Sequence, residues 1–439
     1  MIVLLPPVWA KKLLLASKIE GRDLMSERRV VVTGLGAITA IGNNVNELWN
    51  SVVAGKSGAG PITRFDTSKF KTKFACEIKN FNVLDHFDRK DARKYDLFTH
   101  YAVIAADEAI QQAGIDENSV DVERTGVIMS SGNGGLLTFE NLVIDYVNGG
   151  YNPRFNPFFV TKVISNTSAG LISIKHGFQG VNYCPVAACA SSNIAIIEAF
   201  NHIKWNKADV IVAGGSEAPI TQATIGGFGA MRALSTENEN PAGASRPFDE
   251  SRNGFVAGEG GGALILEERQ HAIVRGATIY AEIVGGGLTA DAHHIAMSHS
   301  EGRGAYLSMK QAIVEAGITA SEVDYINVHA TSTPIGDIAE SNALHNLYNG
   351  DYGNMCVSSS KSMTGHLMGG AGAVEAIITI KSILEGTVTP TINTKTIDPK
   401  IDQNLDVVMD QSRKKEIQYA ISNTFGFGGH NASVLFKKA

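Results

Sequence analysis

The sequence has 439 residues, of which 44% are hydrophobic and 19% charged, and a formal net charge of −6. These proportions are typical of a globular protein with enough core for two domains, and the negative charge argues against general nucleic-acid binding. The four cysteines, Cys76, Cys184, Cys189 and Cys356, form no CxxC pair and have no histidine spacing suited to zinc. We therefore expect reduced thiols, a cytoplasmic location and no metal site. No apolar run approaches the roughly 20 residues that span a bilayer, so no membrane association is expected.

The chain begins with a segment that does not resemble the rest. Residues 1–26 are apolar in places but are interrupted by Pro6 and Pro7, and we interpret them as a non-core extension rather than a signal peptide. A buried-type strand pattern begins at Arg29 and is expected to enter a glycine turn at Gly34 to Gly36. A dinucleotide-binding GxGxxG motif would need a third glycine where Thr39 stands, so a Rossmann cofactor site is not expected.

The order of predicted elements repeats along the chain. Helices are predicted at 45–53 and at about 98–113, the latter ending at Gly114, and a strand follows at 125–132. A second helix of the same kind is predicted at 305–316, followed by a strand at 323–328. Two halves, 27–272 and 273–439, therefore indicate an internal duplication of an α/β unit, with mixed, largely parallel sheets covered by helices.

Cys189 lies in a small-residue turn between a predicted strand at 180–186 and a helix that begins near Asn193. The amides of a helix N-terminus favour a thiolate, and the small neighbours leave room for a substrate carbonyl. A buried, inert cysteine is the alternative, because free cysteines are among the most buried residues.

Three later stretches carry residues suited to catalysis. His329 ends a predicted strand, Lys361 and His366 lie in a loop before a helix, and a glycine-rich turn runs from Asn423 to Asn431. Each has a structural reading: a satisfied buried histidine, an ion pair of Lys361, or a simple tight turn. Because the duplication places the ends of equivalent strands near one axis, we predict a cleft between the halves in which these residues face Cys189.

These motifs resemble the β-ketoacyl-(acyl-carrier-protein) synthases of the elongating type, most closely the KAS II class. The resemblance covers nearly the whole chain after the N-terminal extension. It implies the thiolase-like five-layer αβαβα fold, a homodimer and a Cys-His-His site. It also implies no permanently bound cofactor, because the substrates are carried on the phosphopantetheine of acyl-carrier protein.

The resemblance assigns roles to individual residues. Cys189 would take an acyl group as a thioester, with the amides of Cys189 and Phe425 as the oxyanion hole. His329 and His366 would stabilise the enolate left when the malonyl unit loses CO₂. The remaining roles are electrostatic support by Lys361 paired with Glu375, a gate at Phe425, and substrate contacts by Thr331, Thr333, Phe425, Phe427 and Asn133.

The acidic carrier protein would dock on basic residues. By resemblance these are Arg89, Lys90, Arg93, Lys94, Arg154 and Arg232. The alternative for 89–94 is an ordinary solvated charged face.

Two positions depart from the family pattern. Ala330 stands where the family commonly has glycine, and is strained if the backbone there needs a positive φ. Asn133 replaces an apolar residue that lines the acyl pocket, which predicts a shorter or more polar acyl preference.

Other interpretations of the function remain open. A ketosynthase of a specialised lipid or polyketide pathway, or a non-elongating structural partner subunit, shares the fold, although the partner would lack the nucleophile. A thiolase would carry a second cysteine in its late glycine loop, and an initiating synthase would have a Cys-His-Asn set.

Overall fold

The computed structural model describes residues 28–116 and 118–439, so the predicted extension at 1–26 lies outside it. The strands are β1 Val30–Thr39, β2 Gly60–Pro61, β3 Phe74–Ala75, β4 Thr125–Ser130, β5 Asn182–Tyr183, β6 Val210–Glu217, β7 Gly260–Glu268, β8 Ala281–Ala290, β9 Tyr325–Asn327, β10 Cys356–Ser358, β11 Thr387–Val388, β12 Arg413–Lys414, β13 Tyr419–Gly426 and β14 His430–Lys437. The α-helices are α1 Val45–Val53, α2 Leu97–Ala113, α3 Leu136–Asn148, α4 Phe159–Val163, α5 Thr167–His176, α6 Ser191–Lys204, α7 Gln222–Ala230, α8 Arg269–Val274, α9 Arg303–Glu315, α10 Gly336–Tyr348, α11 Lys361–Thr364 and α12 Ala371–Glu385.

The main sheet consists of two halves with the same strand order. One half runs β5-β4-β6-β7-β1 and the other β10-β9-β13-β14-β8. In each half the first two pairings are parallel and the last two are antiparallel, so that only the fourth strand runs opposite to the others. The halves join where Val30 to Val32 pair with Ile283 to Ala281 of β8. This strand-by-strand repetition confirms the predicted duplication.

The helices form three layers around the two half-sheets. Helices α6 and α12 lie between the halves and contact strands of both. Helices α2 and α5 cover the outer face of the first half, and α9 covers the second with α10 packed against it. This is the expected αβαβα order. Among the described residues, each helix is too short or too polar to cross a lipid bilayer.

Strand β1 corrects the predicted glycine turn. Gly34 and Gly36 lie inside one buried ten-residue strand. A Cβ at Gly36 would lie 1.9 Å from the carbonyl oxygen of Ala105 in α2. These glycines therefore allow the helix to pack closely on the strand. The predicted end of α2 at Gly114 is confirmed, since Gly114 adopts φ +64°; at the other end the Asp96 side chain accepts a hydrogen bond from the Phe98 amide.

The chain before Cys189 is less regular than predicted. Of the expected strand at 180–186 only Asn182–Tyr183 forms a regular strand, β5 at the edge of the sheet, although the Gly180 amide and the Val181 carbonyl also form hydrogen bonds with β4. Pro185 has no amide hydrogen to continue the ladder, which limits the strand to this short piece. The following turn is consequently positioned by its own hydrogen bonds rather than by the sheet.

Candidate active site

Cys189 lies in a single 3₁₀ turn, Ala188–Ala190, immediately before helix α6. The Ser191 hydroxyl accepts a hydrogen bond from the Ala187 amide at 2.8 Å and donates to the Ala188 carbonyl at 2.7 Å. Ala188 adopts φ +49°, a conformation that is rare for alanine and costs backbone strain. The hydrogen bonds of Ser191 hold this strained turn in place and so fix the position of the Cys189 side chain.

The second half contains an equivalent turn. The 3₁₀ segment Met368–Gly370 precedes helix α12, and Met368 adopts φ +47°. His366 lies just before it, and its Nε2 is 2.9 Å from Cys189 Sγ. The duplication therefore brings a sulfur from the first half against an imidazole from the second.

His329 follows strand β9 and completes the cluster. Its backbone amide donates to Glu340 Oε1 at 2.9 Å, and the Ala330 amide donates to Oε2 at 2.7 Å. Its ring centroid is 5.3 Å from that of His366, with the rings edge to face. The structure thus brings Cys189, His329 and His366 together around one space.

The Ala330 backbone is not strained. Its φ lies outside the positive region, and the residue of this loop that adopts a positive φ is Ser332, at +69°. Alanine therefore fits this position without backbone strain, although the family commonly has glycine there.

Lys361 lies behind the histidines. It begins the short helix α11, where a loop was predicted, and its Nζ is 2.5 Å from Glu375 Oε1 of α12. Both side chains are at most 2% exposed. A buried ammonium in this position acts on every ionisable group of the site.

Burial sets the protonation of the site. It raises the pKa of the Cys189 thiol to about 12, against the opposing effect of Lys361. Burial, and then the Lys361 charge, hold the pKa of both His329 and His366 well below its usual value. Burial also raises the pKa of the Glu375 carboxyl to about 7. The thiolate expected from the helix N-terminus is thus opposed by burial, and a neutral thiol faces a neutral imidazole.

A cavity of about 390 Å³ leads to the three residues. It is lined mainly by apolar side chains, with a few hydroxyl, amide and charged groups. The loop between β13 and β14 forms one wall, where Gly428 and Gly429 adopt positive φ values. Of the residues predicted to contact substrate or carrier protein, the cavity is lined by Thr331, Thr333, Phe425, Phe427 and Arg232.

Other predicted residues lie away from this cavity. Asn133 is exposed in the turn after β4 and does not line the cavity. Arg89, Lys90, Arg93 and Arg154 are exposed, and Lys94 is half-buried and paired with Asp91 at 2.5 Å. The 89–94 segment consists of turns.

Several residues that shape the site were not predicted. Ser191 fixes the cysteine turn, Glu340 holds the His329 amide, and the segment 291–298 covers part of the cavity. Glu340 had a usable signal, because it is an acidic residue among the buried apolar positions Ala339, Ala343 and Leu344 of α10. Within 28–116 and 118–439, no cluster of three or more His, Cys, Asp or Glu side chains is arranged to hold a metal ion.

The chain matches two family models over most of its length. Residues 27–272 match the β-ketoacyl synthase N-terminal domain, and residues 280–395 match the C-terminal domain. The chain is 46% identical over 415 residues to a 3-oxoacyl-(acyl-carrier-protein) synthase 2 of Staphylococcus aureus (strain COL), covering 94% of this chain and 99% of that one. It is 44% identical over 414 residues to a protein of the same name from Synechocystis sp., covering 94% of this chain and 99% of that one.

Solved structures show the same architecture. The ishigamide ketosynthase/chain length factor superposes with a TM-score of 0.88 at 31% identity, covering 94% of this chain and all of that one. A β-ketoacyl synthase from Burkholderia phymatum gives a TM-score of 0.86 at 32% identity with the same coverage. These folds are thiolase-like, as the sequence predicted. The chain therefore belongs to the β-ketoacyl synthase family.

Proposed function

We propose that the protein is an elongating β-ketoacyl-(acyl-carrier-protein) synthase. It condenses an acyl group on Cys189 with a malonyl group on acyl-carrier protein, giving 3-oxoacyl-carrier protein and CO₂. The contact of 2.9 Å between Cys189 Sγ and His366 Nε2, with the His329 ring beside it, is the observation that carries this proposal. The substrate thioester arrives on the carrier's phosphopantetheine, so the chain itself needs no resident cofactor.

In the loading step Cys189 attacks the thioester carbonyl of an acyl-carrier protein. A thiol with a pKa of about 12 must lose its proton as it attacks, and His366 Nε2 is in contact to accept it. The carrier's pantetheine thiolate leaves and takes up the proton held by His366, which returns the imidazole to its neutral form. The end of β13 packs against the cysteine turn, since a Cβ at Gly426 would lie 3.1 Å from the Cys189 nitrogen. This proximity supports the amides of Cys189 and Phe425 as the oxyanion hole.

In the second step the malonyl group loses CO₂. The electrons of the broken C–C bond move onto the thioester oxygen, where His329 and His366 donate hydrogen bonds. Neutral imidazoles suit this task, because the negative charge that they stabilise exists only in the transition state and the enolate. The carbanion attacks the acyl-Cys189 carbonyl, and Cys189 leaves as a thiolate that takes up a proton from solvent to restore the neutral thiol. Lys361, paired with Glu375, supports this charge from behind the histidines.

The carrier arm would lie along the cavity wall. Thr331 Oγ1 and Thr333 Oγ1 are 3.1 Å apart and both residues line the cavity, which suits hydrogen bonds to the amides of pantetheine. The Phe425 ring is 5.7 Å from His329, and Phe427 is partly exposed at the same wall. We assign Phe425 as the gate and Phe427 as a substrate contact.

We further propose that the functional unit is a homodimer, each chain comprising an N-terminal half, 27–272, and a C-terminal half, 273–439. Helix α3 has no buried residue in the single chain, and Phe139, Val143 and Val147 are each more than 40% exposed. Strand β5 also has an unpaired edge at one end of the main sheet. Such an apolar face with an unpaired strand edge fits a second copy of the chain. The molar mass in solution, measured by light scattering, decides between dimer and monomer.

The cytoplasm is the proposed place of action, in keeping with the four free thiols of the described chain.

Replacement of Cys189 by alanine is expected to abolish acyl transfer. Wild-type protein mixed with acyl-carrier protein gains the mass of one acyl group, and the Cys189→Ala protein gains none. Cys356→Ala is the matched control, because Cys356 is a free, buried thiol on strand β10. Acylation and product formation in Cys189→Ala protein would contradict the proposed chemistry, whereas a wild-type protein that gains no acyl group would favour the structural-subunit alternative.

The thiol chemistry predicts a specific pH profile. Because the pKa of Cys189 is raised, the thiolate fraction increases about ten-fold for each pH unit between pH 7 and 9. Alkylation of Cys189 by iodoacetamide, followed by mass spectrometry, is expected to accelerate in that proportion with no plateau. A rate that is already constant at pH 7 would show a preformed thiolate instead.

Asn133 is proposed to limit acyl length. Although exposed in the single chain, it precedes the apolar helix α3 that the partner subunit would cover. A buried amide without a partner disfavours an alkyl chain, so Asn133→Ile is expected to shift product formation toward longer acyl primers. Product analysis with malonyl-carrier protein and a series of primers measures this shift. An identical long-chain profile in both proteins would remove the proposal and favour ordinary fatty-acid elongation over a specialised pathway.

The basic residues are proposed to dock the acidic carrier protein. Arg89 and Arg93 are exposed, and Arg232 lies at the cavity. Charge reversal at Arg89 and Arg93 is expected to weaken carrier binding about ten-fold at low salt, and about 0.5 M salt is expected to weaken wild-type binding similarly. Lys310→Glu, on the outer helix α9, is the control. Binding that is insensitive to salt and to the Arg89 and Arg93 changes would leave 89–94 as a solvated charged face.

A further inference from the structure

A buried arginine from the first half holds a loop of the second half. The Arg252 side chain is 1% exposed and does not line the cavity. Its Nε donates to the Thr333 carbonyl at 3.0 Å and its Nη2 to the Pro334 carbonyl at 2.9 Å. Its Nη1 donates to the Asp249 carbonyl and to Asp398 Oδ2, both at 2.8 Å. Two of these four hydrogen bonds therefore end on the segment that lines the cavity.

The same loop is also held by the backbone around Arg252. The Arg246 amide donates to Ser332 Oγ at 3.0 Å, and the Gly254 amide donates to the Ser332 carbonyl at 3.0 Å. Ser332 is fully buried and adopts φ +69°. A serine persists in this conformation only where its surroundings enforce it. Residues 246–254 thus form a cradle that imposes the shape of the loop.

The loop shape determines where two hydroxyls point. Thr331 and Thr333 flank Ser332, and Asp337, 3.4 Å from Arg252 Nε, accepts a hydrogen bond from the Thr333 amide at 3.3 Å. A planar guanidinium can fix two neighbouring carbonyls and two carboxylates at once. A lysine ammonium keeps the charge but lacks this fork.

We propose that Arg252 is a positioning residue for carrier-arm binding: it sets the Thr331 and Thr333 hydroxyls against the pantetheine arm through the Thr333 and Pro334 carbonyls. This inference rests on the proposed function and adds a residue to its substrate site. Because Arg252 does not touch the reacting atoms, its loss affects binding of the carrier-borne thioesters more than the reactivity of Cys189.

The test compares Arg252→Lys with wild type in steady-state kinetics with acyl- and malonyl-carrier protein. The KM for both carrier substrates is expected to rise about ten-fold, with kcat changed less than about three-fold, and iodoacetamide alkylation of Cys189 is expected to stay within about two-fold. Asp398→Asn, which removes one partner of Arg252, is the milder variant and is expected to change KM in the same direction.

Arg275→Lys is the matched control. Arg275 is also largely buried, pairs with Glu267 and donates to the Ala113 carbonyl at 2.7 Å, but it lies away from the cavity. An unchanged KM in both Arg252→Lys and Asp398→Asn overturns the inference. A parallel fall of kcat and alkylation rate also overturns it, because that pattern is a general loss of structure. Failure of the wild-type protein to form acyl-Cys189 would instead refute the proposed function.

Discussion

The contact between Cys189 and His366 depends on burial. In a water-filled cleft the sulfur and the imidazoles would titrate near their ordinary pKa values, and Lys361 would be screened. Here the thiol and both imidazoles are held neutral, and the nearby Lys361–Glu375 pair is itself buried. The negative charge that these groups stabilise therefore develops only during the reaction. Fixed donors in a dry site interact strongly with an oxyanion or enolate and need no reorganisation to do so.

The duplication explains how the two reactive groups meet. The two central helices begin after equivalent strained turns, at Ala188 and at Met368. Ser192 Oγ of α6 accepts from the Ala373 amide of α12 at 3.0 Å. Gly372 leaves room for Asn193, because a Cβ there would lie 2.6 Å from Asn193 Oδ1. The two helix starts are thus packed together, and the nucleophile and histidine before them are brought into contact.

Local sequence was sufficient for the parts of the molecule that depend on local chemistry. The glycine end of α2, the repeat of the two halves and the small-residue turn around Cys189 were predicted, because periodicity and turn chemistry are properties of nearby residues in the chain. The role of Gly36 was predicted incorrectly, because glycine is required there by the close approach of an α2 carbonyl, about seventy residues away along the chain. Burial opposes the thiolate that the helix terminus favours at Cys189, and the helix terminus is visible in the sequence whereas the depth of burial is not. Arg252 carries no motif at all, and its contacts exist only in the assembled fold.

The departure at Ala330 shows the same dependence on context. A glycine in a family pattern has two common physical causes, a positive φ or a close backbone approach. In this chain the positive φ of the loop falls on Ser332, two residues later. The Ala330 amide donates to Glu340 and its carbonyl accepts from the Ser359 hydroxyl at 2.7 Å, so both backbone groups are satisfied in an ordinary conformation. Residues 246–254 hold Ser332 in its strained conformation. The methyl group of Ala330 therefore adds packing beside His329 without displacing the histidine. The sequence change at this position therefore leaves the geometry of the proposed catalytic residues intact, and any change in acyl preference has to arise elsewhere, with Asn133 as the remaining departure.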